Sequence, residues 1–183
     1  MGEGAAILVL EAEEHAVARG VRVYAELVSA AITSDAFHAV APDPTATGVI
    51  RAIETALRIG NIDPRDVMHV NDHATSTSAG DLAEAIAIRR ALGTDADHVV
   101  VSATKSMTGH LLGAAGALES VFCVLTVYDR LAPPTINLRD LDPAVDLEVV
   151  RGTPRCLPTG DIVALNDSFG FGGHNVAVAF RSI

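Results

Sequence analysis

Residues 163–180 read Val-Ala-Leu-Asn-Asp-Ser-Phe-Gly-Phe-Gly-Gly-His-Asn-Val-Ala-Val-Ala-Phe, and this stretch decides the fold class. Val163–Leu165 and Val176–Phe180 are apolar runs that favour β-strands. Between them Gly170-Phe171-Gly172-Gly173 predicts a turn, because glycine adopts backbone torsions that other residues resist. Two strands joined in this way pair antiparallel, so we expect a closing hairpin.

Upstream of this hairpin, apolar runs alternate with helical patterns. The predicted strands are Ala5–Leu10, Val21–Ala31, Val67–Val70, Val99–Val101 and Leu147–Val150. The predicted helices are Glu11–Arg19, Thr47–Ile59, Asp81–Leu92 and a long buried helix from about His110 that Pro133-Pro134 stops. Alternation of this kind predicts an α/β fold. With the hairpin added, we expect a mixed β-sheet layered between helices.

Composition excludes several classes of protein. The 183 residues carry a net charge of −10 and 4% aromatics, which argues against nucleic-acid binding. The longest apolar run, Leu111–Tyr128, approaches the length of a membrane span, but Glu119 interrupts it and a buried helix is the better interpretation. Two cysteines and no signal peptide predict a cytoplasmic setting. A chain that opens directly on an apolar strand resembles a piece of something longer.

Three polar loops follow predicted strands, where α/β folds place their ligands. The first, Asn71–Gly80, carries His73; its hydroxyl residues could equally just start the next helix. The second, Ser102–Gly109, carries Lys105, which on composition alone would be a solvated lysine. It ends at His110, where the N-terminus of the expected helix would keep the ring neutral. The third is the glycine-rich turn, which could be an ordinary hairpin.

Together, in this order, the loops resemble the elongating β-ketoacyl–acyl-carrier-protein synthases. Lys105-Ser-Met-Thr-Gly-His110-Leu-Leu-Gly-Ala-Ala-Gly-Ala is similar to the lysine–histidine motif of that family, and Ser168-Phe-Gly-Phe-Gly-Gly-His-Asn175 to its glycine-rich loop. Pro133–Asn137, Gly80–Ala85 and Met1–Ala6 also match. The resemblance covers nearly the whole chain. It implies the C-terminal half of a thiolase-like fold, residues 1–183, without the N-terminal half that holds the nucleophilic cysteine.

The resemblance also implies a chemistry. Family members lengthen an acyl thioester by decarboxylative Claisen condensation with malonyl-carrier protein. The resemblance implies that His73 and His110 donate hydrogen bonds to the thioester oxygen and that Lys105 orders the site and its electrostatics. It implies that Phe171 is a gate whose backbone N–H completes an oxyanion hole. Thr75 and Thr77 match hydroxyls that hold the pantetheine arm, Glu119 a glutamate that can pair with His110, and Gly170 and Gly172 glycines of the gating loop.

The implied partners are acyl carrier protein, the N-terminal half of the synthase and a second copy in a homodimer. We expect no cofactor beyond the phosphopantetheine arm of the carrier, no nucleic acid and no membrane span. Neither Cys123, which we expect to be buried in the long helix, nor Cys156, in a Pro/Gly-rich loop, is expected to be the nucleophile. The chain alone is therefore expected to be inactive.

Four positions depart from the family pattern. Asp72 and Ala74 flank His73 where alanine and glycine are usual, so a carboxylate facing the ring would favour imidazolium and a Cβ would strain the turn. Asp167 replaces a neutral residue, and Val40 a threonine.

The main alternative is a non-catalytic partner of the chain-length-factor type, which need not keep His73, Lys105 and His110. A thiolase-like or initiating synthase is a third and weaker alternative. Those enzymes use Cys–His–Asn or Cys–His–Cys catalytic sets, and His110 in this motif fits neither.

Overall fold

A computed structural model describes all 183 residues. The α-helices are α1 (Glu13–Arg19), α2 (Thr47–Ile59), α3 (Ser78–Leu92), α4 (Lys105–Thr108) and α5 (Ala115–Asp129). The strands are β1 (Glu26–Ser34), β2 (Val67–Asn71), β3 (Val100–Ser102), β4 (Leu131–Ala132), β5 (Glu148–Val149), β6 (Arg155–Cys156), β7 (Val163–Gly170) and β8 (His174–Arg181). Short 3-10 turns lie at Pro64–Asp66, Gly93–Asp97 and Leu112–Ala114.

Six of the strands form one mixed sheet, in the order β1-β8-β7-β2-β3-β5. Strand β2 runs parallel to both β3 and β7, and β3 runs parallel to β5. Strand β8 pairs antiparallel with β7 and with β1, and β4 and β6 form a separate two-stranded ribbon. The predicted α/β class, the mixed sheet and the closing hairpin are confirmed.

The two faces of the sheet are covered by different helices. Helices α2 and α3 pack on one face over the main core of 23 buried residues, which includes Val163 and Leu165 of β7. Ala164, between them, packs on the other face with Cys123 of α5. Because side chains alternate along a strand, Asn166 points toward α5 and Asp167 toward α2 and α3. The expected layering of helices on both faces is therefore confirmed.

Two predictions near the N-terminus are wrong. Ala5–Leu10 is not a strand, and Ile7 and Val9 are 87% and 83% exposed. A strand needs a neighbour that completes its hydrogen bonds, and no strand of this chain lies beside this run. The next strand begins at Glu26, where pairing with β8 starts, rather than at Val21.

The long helix also differs from its prediction. Helix α5 begins at Ala115 rather than about His110, since Gly109 with φ +71° and Leu112 with φ +55° break the helical backbone. The residues before that break, expected to be a loop, form the short helix α4. Helix α5 ends at Asp129, where Arg130 is left-handed (φ +57°), four residues before the prolines that we expected to stop it. Cys156, expected in a loop, lies in β6.

The segment Leu112–Asp129 is long and apolar enough, by length and composition alone, to cross a membrane. Core helices of soluble proteins pass the same test. Here α5 packs against β7 and buries Glu119, Cys123 and Val127, as expected of a helix laid on a sheet.

Candidate active site

The three predicted loops meet at one edge of the sheet, because β3, β2 and β7 are parallel neighbours. A buried chain of hydrogen bonds joins their first residues. The Thr104 hydroxyl donates to Asn71 Oδ1 at 2.8 Å, and the Asn71 amide donates to Asn166 Oδ1 at 3.4 Å. Asn166 then donates to Ser120 Oγ on α5 at 3.0 Å. The first two loops are therefore anchored two residues before His73 and one residue before Lys105, and the third is anchored at the start of its polar stretch.

His73 and His110 face each other. Their ring centroids are 5.5 Å apart and the rings meet edge to face, with an interplanar angle of 86°. His110 Nδ1 accepts a hydrogen bond from the Leu112 N–H at 3.2 Å, which leaves its proton on Nε2. The two rings thus lie on the same side of the sheet edge, as the loop order predicted.

Both imidazoles are neutral at physiological pH. Burial, and then the charge of Lys105, lower the pKa of His73 to about 3; the same two causes lower the pKa of His110. Asp72 is not among the groups that shift the pKa of His73, so the expectation for a carboxylate that faces the ring does not apply here. The expectation that His110 is neutral agrees with this shift, but its stated cause is wrong, since His110 does not begin a helix.

Lys105 is buried, not solvated as composition alone suggested. Its Nζ lies 2.5 Å from Glu119 Oε1, with the two side chains 5% and 2% exposed. Glu119 therefore pairs with Lys105 rather than with His110, because the break before α5 carries His110 away from the helix. Burial raises the pKa of Glu119, although Lys105 opposes that shift.

Glu84 of α3, which sequence reasoning gave no role, holds the His73 loop in place. Its carboxylate accepts from the backbone N–H of His73 at 2.6 Å and of Ala74 at 2.8 Å. Ala74 has a φ of +20°, so its Cβ strains the turn as predicted. The signal that could have identified this anchor was Glu84 itself, a carboxylate inside an apolar helical pattern.

The Thr75 and Thr77 hydroxyls lie 3.2 Å apart. Helix α3 begins at Ser78, three residues earlier than predicted, with Thr77 at its N-cap. The Thr77 hydroxyl makes no cap hydrogen bond; instead Asp81 accepts from the Thr77 N–H at 3.3 Å. The alternative that these hydroxyls merely start the helix is therefore not supported for Thr77.

Phe171 is not brought to the histidines: it lies at the tip of the hairpin and is 77% exposed. Phe169 packs against His73 instead, with ring centroids 5.7 Å apart. Strand β7 continues to Gly170, so Phe169 lies on the same face of the sheet as Asp167. The predicted strand ended at Leu165 and therefore did not place Phe169 on this face. At Gly172, with φ +85°, the N–H donates to Ala39 O at 2.8 Å and ties the turn to the loop after β1.

The two cysteines lie away from these groups. Cys123 is fully buried, its Sγ contacts Leu165 O at 3.3 Å, and burial raises the pKa of its thiol well above the usual range. Cys156 is exposed in β6. A buried thiol with a raised pKa is a poor nucleophile, as the sequence predicted for Cys123.

A cavity of about 470 Å³ adjoins this cluster. Polar groups line one side of it, including Asp72, Thr75, Lys105 and His110, and apolar side chains such as Leu141 line the other. The arrangement presents neutral imidazole donors and a buried cation beside a space of ligand size. Such groups stabilise negative charge that develops on a bound oxygen.

Residues 24–139 match the family model described as the beta-ketoacyl synthase C-terminal domain. The chain belongs to the β-ketoacyl synthase family. It is 52% identical to 3-oxoacyl-[acyl-carrier-protein] synthase 2 of Mycobacterium bovis and 50% identical to that of Synechocystis. These alignments cover 98% and 99% of this chain but 42% and 43% of the relatives, so the chain spans less than half their length.

Solved synthases share the thiolase-like ketosynthase fold. The chain superposes with a TM-score of 0.90 and 35% identity on a type II polyketide ketosynthase solved with its acyl-carrier protein, over 94% of this chain and 42% of that one. It superposes with a TM-score of 0.93 and 36% identity on the ishigamide ketosynthase/chain length factor, over 100% of this chain and 44% of that one. The predicted fold and family are confirmed.

Proposed function

We propose that this chain supplies the histidine and lysine groups of a β-ketoacyl synthase site that lengthens acyl chains by decarboxylative condensation. The observation that carries the proposal is the pair of facing, neutral imidazoles, His73 and His110. When malonyl thioester loses carbon dioxide, the electron pair of the broken carbon–carbon bond forms an enolate whose negative charge lies on the thioester oxygen. Two N–H donors aimed at that oxygen stabilise the enolate, which attacks the acyl thioester and releases its sulfur.

Lys105 acts in this proposal through its charge and its pairing with Glu119. Burial is the main reason that both histidines stay neutral as donors, and the ammonium adds to it by disfavouring a second positive charge nearby. The neighbouring Thr75 and Thr77 hydroxyls are suited to the amide and hydroxyl groups of a pantetheine arm. Phe171, exposed at the hairpin tip, remains a proposed gate and source of an oxyanion-hole N–H. No cofactor beyond the carrier's phosphopantetheine is invoked.

The nucleophilic cysteine is proposed to come from an N-terminal half. The curated relatives are more than twice as long as the aligned region, and neither cysteine of this chain adjoins the histidines. Leu125 and Tyr128 of α5 are 39% and 41% exposed, and Leu112 in the turn before the helix is 59% exposed, which supports packing against further protein. Acyl carrier protein, a homodimeric full enzyme and a cytoplasmic setting complete the proposal.

The test is His110→Ala in the full-length synthase, with malonyl decarboxylation and acyl transfer to the enzyme measured separately. We expect decarboxylation to fall about a hundred- to a thousandfold, because one preorganised donor is lost, while acyl transfer stays near its normal rate. His98→Ala, at an exposed histidine, is the matched control. Equal loss of both steps would contradict the assigned role. Unchanged decarboxylation would also contradict it, and absence of decarboxylation in the unaltered full-length protein would favour the non-catalytic chain-length-factor alternative.

A further inference from the structure

Two carboxyl groups lie side by side on a buried face of the sheet. Asn71 and Asn166 are partners in the parallel pairing of β2 with β7, and the next residues along each chain are Asp72 and Asp167. Neighbouring strands are about 4.8 Å apart. Alternation turns Asp167 away from α5 and toward α2 and α3, while Asp72 lies one residue beyond the end of β2.

Neither carboxyl group has the partners that a buried charge requires. Asp167 is 0% exposed, and neither of its oxygens has a hydrogen-bond partner. Asp72 is half-buried and lines the cavity, but its Oδ1 is buried without a partner. An unpaired carboxylate in such a place is so costly that it takes up a proton instead.

The groups around the pair do not supply a free counter-charge. The charged or titratable neighbours are Asp81 and Glu84 from α3, Lys105 from α4, Glu119 and Cys123 from α5, and His73 in the adjoining loop. The buried residues of α2 carry no titratable group. Lys105 is the one cation among these neighbours and already pairs with Glu119.

Electrostatics agree with this geometry. Burial, and then the neighbouring Asp72, raise the pKa of Asp167 to about 8. Burial raises the pKa of Asp72 to about 7, with Lys105 opposing and Asp81 and Glu119 adding to the shift. Both groups thus change charge near neutral pH, directly beside the His73 loop.

We propose that Asp72 and Asp167 act as one coupled, proton-holding pair whose protonated form positions the His73 loop against α3. Glu84 holds that loop through the His73 and Ala74 amides and lies close enough to both aspartates for repulsion. Burial, and then Asp72, raise the pKa of Glu84 well above its usual range, so loss of the pair's last proton further disfavours the Glu84 carboxylate that accepts from these amides and weakens its hold on the loop. Because both folded-state pKa values are raised, the pair's contribution to stability is fully present below the ordinary aspartate pKa of about 4, falls as pH rises above it, and is completely lost once pH passes about 7 to 8. The device does not depend on the proposed condensation chemistry.

The experiment follows the aspartate carboxyl carbons by ¹³C NMR in the full-length protein from acid to alkaline pH. We expect two coupled titration steps near neutrality. Asp167→Asn should remove one and move the Asp72 step down by about one pH unit or more. Asp72→Ala provides a second route should the first variant fold poorly, and should lower the Asp167 step. Asp161→Asn, at an exposed aspartate, is the matched control and should leave both steps unchanged.

Amide exchange of His73 and Ala74 tests the positioning role, comparing wild type and Asp167→Asn at the same pH. At acid pH the two proteins should exchange these amides at nearly the same rate. At alkaline pH exchange in wild type should be about tenfold faster than in Asp167→Asn, because opening of the wild-type loop then needs less free energy. Independent titration of Asp72 and Asp167 near pH 4 would overturn the proposal that they form a coupled pair. Coupled steps with an unchanged exchange ratio overturn the positioning role.

Discussion

Replacing Lys105 by methionine should destabilise the protein by an amount that grows with pH. Methionine keeps the length of the buried stem but removes the ammonium that lies 2.5 Å from Glu119. The Glu119 carboxyl, with its side chain 2% exposed, must then either ionise without a counter-ion or hold a proton. Burial already raises its pKa against the pull of Lys105, so loss of Lys105 moves that pKa further up.

The sign and size follow from proton linkage. A carboxyl whose folded-state pKa is raised costs nothing below its unfolded pKa, about 4.3, and costs about 1.4 kcal/mol for each pH unit above it until the folded pKa is passed. The destabilisation of Lys105→Met relative to wild type should therefore grow by up to about 4 kcal/mol between about pH 5 and about pH 8. At neutral pH it should approach the roughly 3–5 kcal/mol typical of a broken buried ion pair.

The measurement is denaturant unfolding of wild type, Lys105→Met, Glu119→Gln and the double variant at several pH values. The double variant should recover much of the lost stability, since no unpaired charge remains. Arg65→Met removes an exposed ion pair with Asp63 and serves as a control expected to cost less than about 1 kcal/mol. A pH-independent effect of Lys105→Met, or a double variant no better than the single ones, would refute this reasoning.

Three further predictions concern the His73 loop and the hairpin. Ala74→Gly should raise the free energy of unfolding by about 1 kcal/mol in denaturant titrations, because Ala74 has a φ of +20°; no gain would show the turn is unstrained. Phe169→Ala should cost about 2 kcal/mol and Phe171→Ala less than about 0.5 kcal/mol, since only Phe169 packs against His73; equal costs in thermal unfolding would contradict this. Asp72→Ala combined with Ala74→Gly should keep or raise the condensation rate, and a severe drop would show that the site depends on both residues.

Sequence alone predicted the elements whose hydrophobic pattern matches their burial. Helix α2 has its predicted bounds, Thr47–Ile59, because Val49, Ile53 and Leu57 form one buried stripe. Strand β7 extends five residues beyond its predicted end because pairing with β8 carries Asn166–Gly170 in register. All of those residues except Phe169 are polar or small, and only the strand partner shows that they belong to the sheet.

Within the site, sequence reasoning identified residue types better than partners. His73, Lys105 and His110 meet at one edge because strand order brings their loops together. The partners of each depend on details that no periodicity encodes. The backbone break before α5 directs Glu119 to Lys105, and an α3 carboxylate anchors the His73 loop.

The neutral state of the histidines shows how a correct expectation can have the wrong cause. A helix N-terminus was expected to keep His110 uncharged, yet the structure places it in an irregular turn where burial and Lys105 lower its pKa. The difference matters, because a helix dipole is fixed while Lys105 is balanced by Glu119 and faces the titrating Asp72. Burial is nevertheless the larger cause for both rings, so the donors of the proposed site stay neutral chiefly through desolvation, with Lys105 adding to it. Asp72 and Asp167, which depart from the family pattern, therefore reach the proposed chemistry through the position of the His73 loop, which Glu84 holds, rather than through the charge of the rings.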